Sequence, residues 1–397
     1  MENKQILGIG ALVVTVIVAA VLMFLCDGGF GKDAFKDLLA PTAGGAWDSL
    51  QFGKNLDIWF MLMLVAFLMI FIRKFEWGTA LAVLLSAAAS FVVYLGIQQI
   101  YLDELWSQAL LIRAVICAIT LVIAIGVFLG TCKMWQYLLV GVGFAVVYAL
   151  IEWILLGQLE DWTGLAVTDD GGSVLVHMCA AYFGIGVALG IRDKRAFNEP
   201  MYTTTHSVTF VWLASMLLWM LWPSFVTSLL PDGVSVTEAT ITCYMAGIGS
   251  IISTYAMCMI LQGKINPLVY TYAMLCGPVA IGAPLLQLGP WGALLLGLVA
   301  GAVSTVCFIY LQPWFCSKIG VLDIMGVHNL HGIGGWLGAI TVCIVLGEPG
   351  TLVMALITVG ITLVTGAIIG VIVKLTRGDM ELICDDDTDF IKNEAPA

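Results

Sequence analysis

Apolar runs of about 20 residues recur from one end of this chain to the other. A helix of that length spans a hydrocarbon core of ~30 Å, and a soluble domain has no use for so many of them. Composition agrees: 61% of the 397 residues are apolar and 11% are charged, against about 25% charged in an ordinary soluble domain. The runs predict an all-α polytopic membrane protein. Its twelve or so transmembrane helices fall at about 6–26, 56–72, 77–97, 106–129, 135–157, 172–191, 205–230, 239–261, 267–288, 291–312, 325–346 and 351–374. The first is read as a membrane helix and not as a cleaved signal, because its apolar core is long and no small-x-small site precedes Cys26. Residues 1–376 then form a single transmembrane channel domain, and 377–397 a short acidic tail, solvated or a dock for a small regulatory protein.

Several function classes drop out. The eleven cysteines are scattered singly with no CxxC, so they read as small buried apolar residues. A formal charge of −11 offers nothing to nucleic acid. There is no nucleophile–base pair and no cofactor motif, so neither an enzyme nor a cofactor is expected. Basic residues set the orientation. With the N-terminus in the cytoplasm, inside segments carry twelve Lys and Arg, and outside loops carry only Lys32, Lys36 and Lys54. Both termini are therefore expected on the cytoplasmic side of the plasma (inner) membrane, with lipid as a partner throughout.

The chain has four histidines: His177, His206, His328 and His331. In two stretches an aspartate precedes a histidine by eight residues, Asp169 before His177 and Asp323 before His331. The aspartates are 154 residues apart, and so are the histidines. A duplicated chain is implied, with repeat A at about 56–191 and repeat B at about 205–346. Equivalent helices lie five spans apart, and five is odd, so they run in opposite directions. That is a five-plus-five inverted-topology repeat, an architecture whose site lies near the bilayer midplane. Eight helical residues rise ~12 Å, close to half the core, so His177 and His331 approach mid-depth from opposite faces.

Two neutral imidazoles lining a narrow apolar pore each offer one donor and one acceptor. They suit a small polar neutral solute better than a cation. The alternative is a pair of histidines that merely hydrogen-bond between helices. His328, one turn before His331, supports the pore or packs between helices. A metal on His328 and His331 lacks a third ligand, and none is expected. His206 reads as interfacial. Asp169 and Asp323 stand at helix starts, where a carboxylate caps free N–H groups and shapes the field; Asp170, before Gly171 and Gly172, could also cap. Near the outer face lie Arg113, Ile116, Glu152, Trp222 and Phe225. An aromatic there could gate the pore, stack on a cation, or belong to the interfacial belt. Glycine pairs four apart, such as Gly186 and Gly190 or Gly366 and Gly370, predict close helix packing.

Three segments together resemble the Rhesus (Rh) branch of the ammonium transporter superfamily: DDGGSVLVHMCAAYFG at 169–184, LLWMLWPSF at 217–225 and DIMGVHNLHGIGG at 323–335. The resemblance implies the Amt/Rh fold and makes His177 and His331 the twin pore histidines. It makes Asp169 and Asp323 the paired aspartates, Phe225 one phenylalanine of the outer gate, and Glu152 the acid of the outer vestibule. It also implies a homotrimer with one pore per subunit, carrying ammonium or ammonia, with carbon dioxide a further candidate. Ile116 stands where the family has a second gate phenylalanine, and Arg113 where it has asparagine. Tyr272 and Pro278 replace a usual Asn and Gly. An arginine at the mouth would repel a cation unless Glu152 pairs with it. A gas channel and a non-conducting membrane scaffold remain as the other readings.

Overall fold

The computed structural model describes residues 3–22, 24–25, 45–72, 74–199, 201–231, 234–385 and 389–390. Among them twelve helical elements follow one another: α1 (Asn3–Leu22), α2 (Gly45–Met69), α3 (Trp77–Tyr101), α4 (Gln108–Phe128), α5 (Met134–Thr163), α6 (Ser173–Ile191), α7 (Thr205–Val226), α8 (Val236–Gln262), α9 (Pro267–Ile281), α10 (Pro290–Ile319), α11 (His328–Leu346) and α12 (Gly350–Arg377). Ten are long and apolar enough to cross a membrane, while α9 and the Leu12–Val21 part of α1 are shorter apolar pieces. The protein is thus an all-helical, multi-pass membrane protein.

Local chemistry sets the boundaries. Ser107, Ser235 and Asn266 cap α4, α8 and α9 by accepting main-chain N–H bonds, and Pro267 and Pro290 open α9 and α10. Helix α2 starts eleven residues before its expected position near 56. Its first turns carry Gln51, Lys54 and Asn55, polar residues that are buried against protein, so they never needed to be apolar. Helix α9 breaks at Met274–Leu275. Pro278 has no N–H for the Met274 carbonyl, and the Ser250 hydroxyl of α8 donates to that carbonyl instead.

Helices α4 and α6 are innermost, each with 89% of its apolar window buried, against 28% for α12. The glycine pairs act as expected. Gly186 and Gly190 of α6 face Gly366 and Gly370 of α12 so closely that a β-carbon on any of the four would strike the opposite backbone. Gly297 and Gly301 of α10 meet Ala246 and Ser250 of α8 in the same manner.

The start of the acidic tail is not free in solvent. Leu382 and Ile383 are buried. Ile383 N–H donates to Gly130 O at 2.9 Å, and the Asp385 carboxylate accepts the N–H groups of Trp77 and Gly78 at the head of α3. Arg377 bonds Thr131 O and Asp193 at 2.8 and 2.7 Å. Of the acidic side chains that suggest solvation from composition, Asp385 serves here as a helix cap.

Candidate functional site

The two histidine-bearing helices begin in the same way. Asp169 accepts the N–H groups of Val174 and Leu175 at 2.8–3.1 Å, and Asp323 those of Val327 and His328 at 3.0 and 2.9 Å. Gly172 and Gly326, again 154 apart, hold φ of +83° and +70°, a turn that a side chain resists. Each helix then opens with a wide π-turn, Ser173–Met178 and His328–Gly332. The preceding backbone is tied to the opposite half: Gly171 N–H to Gly282 O at 2.7 Å, and Met325 N–H to Gly126 O at 3.2 Å. Both histidines are therefore delivered from strongly held helix starts.

They meet. His177 Nδ1 and His331 Nδ1 are 3.0 Å apart, with ring centroids at 5.1 Å. One nitrogen must carry the shared proton and the other accept it. Both rings line a narrow cavity of about 50 Å³ whose other walls are almost wholly apolar, including Met61, Val65, Ile119, Ile123, Leu218 and Leu330. Trp222 and Phe225 close one side, their rings 5.7 and 6.0 Å from that of His177. His177 Nε2 and Trp222 Nε1 are buried and have no hydrogen-bond partner among the described residues. A polar atom left so is costly, and both residues are among those that line the cavity. Trp222 is 4% exposed, so it does not belong to an interfacial belt.

The remaining candidates lie off the cavity. Asp169 and Asp323 cap their helices; Asp170 accepts Leu286 N–H and caps neither. His328 stacks on Phe315 at 5.2 Å and meets Tyr182 Oη at 3.3 Å. It is wedged between helices. His206 is exposed and edge-on to Phe210. Ile116 is buried within α4, and Ile119 and Ile123, one and two turns on, reach the cavity instead. Arg113 pairs with Glu104 in the loop before α4, and not with Glu152. Glu152 is 3% exposed and accepts from Tyr94 Oη at 2.5 Å and Gln98 Nε2 at 3.1 Å. It does not reach outward to water as its place near a span end suggests, because α3 supplies two donors beside it.

One pair escaped the sequence reading. Trp336 Nε1 donates to Tyr182 Oη at 2.6 Å. These residues stand five positions past His331 and His177, so they too are 154 apart. The same spacing that singles out the histidines could have found them.

Cavity, paired imidazoles and helical bundle define a membrane protein with a buried, apolar, histidine-lined cavity. The Ammonium Transporter Family model matches residues 49–389. The chain is similar to a solved structure of Nitrosomonas europaea Rh50, described with the mechanism of conduction by the Rhesus protein family of channels. The two share 30% identity, with a TM-score of 0.82, over 88% of this chain and 94% of that one. It is also similar to the ammonium transporter Rh type C of Bos taurus, at 33% identity over 72% of this chain, and to Rh type A of the same organism, at 32% over 67%. It spans 64% of the length of each of these two curated relatives. A sensor Amt protein shares the fold at 17% identity and a TM-score of 0.70. The chain belongs to the ammonium transporter family, in its Rhesus branch.

Proposed function

We propose that this protein conducts ammonia across the plasma (inner) membrane through the cavity where His177 and His331 meet. The observation that carries the reading is that two residues lining the cavity, His177 and Trp222, each have a buried nitrogen without a partner, Nε2 and Nε1, among the described residues. Ammonia has one lone pair and three N–H groups. When His177 Nδ1 carries the shared proton, its Nε2 is a bare acceptor and Trp222 Nε1–H is a donor. Ammonia has a donor for the one and a lone pair for the other. Carbon dioxide, an acceptor only, satisfies the indole alone. Ammonium has no lone pair for the indole, and an ion in so apolar a cavity loses its hydration without a counter-charge. The solute therefore crosses as the neutral molecule.

In this reading Phe225 and Trp222 form the outer gate, with Ile116 behind it. Asp169 and Asp323 anchor the helix starts, His328 braces α11, and Glu152 lends negative charge to the outer region. Arg113 is neutralised by Glu104, so the arginine does not oppose recruitment of ammonium. The chain has twelve crossings with both termini cytoplasmic, as a five-plus-five inverted repeat of about 56–191 and 205–346. The recurrence at 154 residues of aspartate, positive-φ glycine, π-turn and histidine supports that arrangement. The transmembrane domain comprises 1–376, it assembles as a homotrimer, and the tail from 377 is where a small regulatory protein docks.

The test is a pair of gradients on proteoliposomes followed by internal pH. The reading expects protein-dependent alkalinisation with ammonium and no protein-dependent response to carbon dioxide. Trp222→Phe, which keeps a ring and removes the N–H, should slow the ammonia response by about tenfold, the scale of one buried hydrogen bond. A carbon dioxide response with no ammonia response would replace this reading with the gas channel, and silence in both from folded protein would leave the scaffold.

A further inference from the structure

Helix α7 ends in the turn that carries Trp222 and Phe225, and that turn is intrinsically weak. Pro223 lies inside the helix. It has no N–H to return to the carbonyl of Trp219, so the ladder is interrupted one residue before Ser224 and two before Phe225. Thr227 closes the turn locally, its N–H and hydroxyl both donating to Pro223 O, and contacts from outside α7 supplement it.

Two side chains of α2 reach it. Lys54 Nζ donates to Thr227 O at 2.7 Å, and Asp57 Oδ2 accepts from Ser224 Oγ at 2.6 Å. The two are three residues apart and so share a face of α2. One bond falls just before Phe225 in the chain and the other just after it. Lys54 is 4% exposed, and no other lysine among the described residues is buried. Its ammonium sits at the C-terminal end of α7, where free carbonyls favour a cation. Both side chains also border an open pocket of about 380 Å³, lined by Ser224, Thr227 and Tyr244 among others.

We propose that Lys54 and Asp57 are positioning residues for the gate: they clamp the proline-weakened last turn of α7 and so fix Phe225 and Trp222 over His177. The proposal rests on the conduction reading above. Lys54 and Asp57 touch no solute themselves. Their effect is on how large a solute the gate admits, so it appears in selectivity and not in the histidine pair.

The experiment compares uptake of methylammonium with ammonia flux in proteoliposomes of the full chain. Ser224→Ala, Asp57→Leu and Lys54→Met each free one side of the turn. Each should raise the methylammonium-to-ammonia ratio by about two- to tenfold, the scale of one hydrogen bond. Asp57→Asn keeps an acceptor for the Ser224 hydroxyl and should restore most of the native ratio. The double variant Ser224→Ala with Asp57→Leu should shift the ratio no further than either alone, since both remove the same bond. Ser224→Ala deletes one oxygen, so it decides the matter even if Lys54→Met does not fold. Folded variants with the native ratio would overturn the clamp. So would an Asp57→Asn protein as altered as Asp57→Leu, because charge and not position would then be at work. A native protein with no ammonia flux would instead remove the conduction reading beneath it.

Discussion

Asp169 and Asp323 each gather two N–H groups from the first turns of their helices, and each is followed by a positive-φ glycine, a π-turn and a histidine. Beyond that shared frame the two halves part. The position of His328 in the second half is occupied by Val174 in the first, and Trp336 answers Tyr182. The end of α6 carries Asp193, ion-paired to Arg195 and Arg377, whereas the end of α11 at the same spacing is Gly347. The difference teaches which features the site demands. A helix that starts inside protein at membrane depth must satisfy its first N–H groups, so cap, glycine and π-turn recur. Flanking side chains answer only to their own neighbours and are free to differ.

The comparison breaks or sharpens most at the caps. Asp169→Leu and Asp323→Leu each strand two buried N–H groups, at about 1–3 kcal/mol per group. Thermal unfolding in detergent should show large and similar losses for the two. A loss confined to one half would end the claim that the helix starts are equivalent. Next comes Tyr182→Phe, which leaves Trp336 Nε1 without its acceptor and should cost about 1–3 kcal/mol. Because the bond joins α6 to α11 just past the histidines, ammonia flux should fall with it. Native flux and stability would show that the pair braces nothing.

A smaller effect is expected from His328→Val, which gives the second half the residue of the first. It forfeits stacking on Phe315 and should cost about 1 kcal/mol, with ammonia flux kept within about twofold. A loss of flux as deep as that from His331→Ala would make His328 part of the pathway. The smallest concerns pH. Arg195 and then Arg377 hold the Asp193 carboxyl down to about 2, below the ordinary value near 3.9. With the folded value depressed, this anchor is fully present above pH ~4 and is lost as pH falls through about 2. Hydrogen exchange at 192–198 should quicken over that window while exchange at 344–350 does not. Equal quickening at both helix ends would contradict the asymmetry.

Much of this was legible in the sequence, for physical reasons. Spans show because lipid forces continuous apolarity, and the histidine pair shows because polar residues stand out in apolar runs and recur at one interval. What was not legible depends on contacts between distant segments. Nothing in the run around Arg113 points to Glu104, in the loop before its helix, as its partner rather than Glu152. Glu152 looks able to reach water until Tyr94 and Gln98 are seen beside it. Helix α2 begins earlier than apolarity alone suggests, because Lys54 and Asn55 are polar yet buried in protein. The acidic tail looked solvated because composition does not reveal that Asp385 caps α3.

The central claim is that the solute passes at the Nδ1–Nδ1 contact of His177 and His331. Stopped-flow measurement of internal pH in proteoliposomes after an imposed ammonium gradient tests it most directly, with native protein, His177→Ala, His331→Ala and the double variant. The account predicts rapid alkalinisation by the native protein. Each single variant should change that rate at least tenfold, and the double no more than the singles, because one contact is being removed. Native rates in the folded double variant would contradict it.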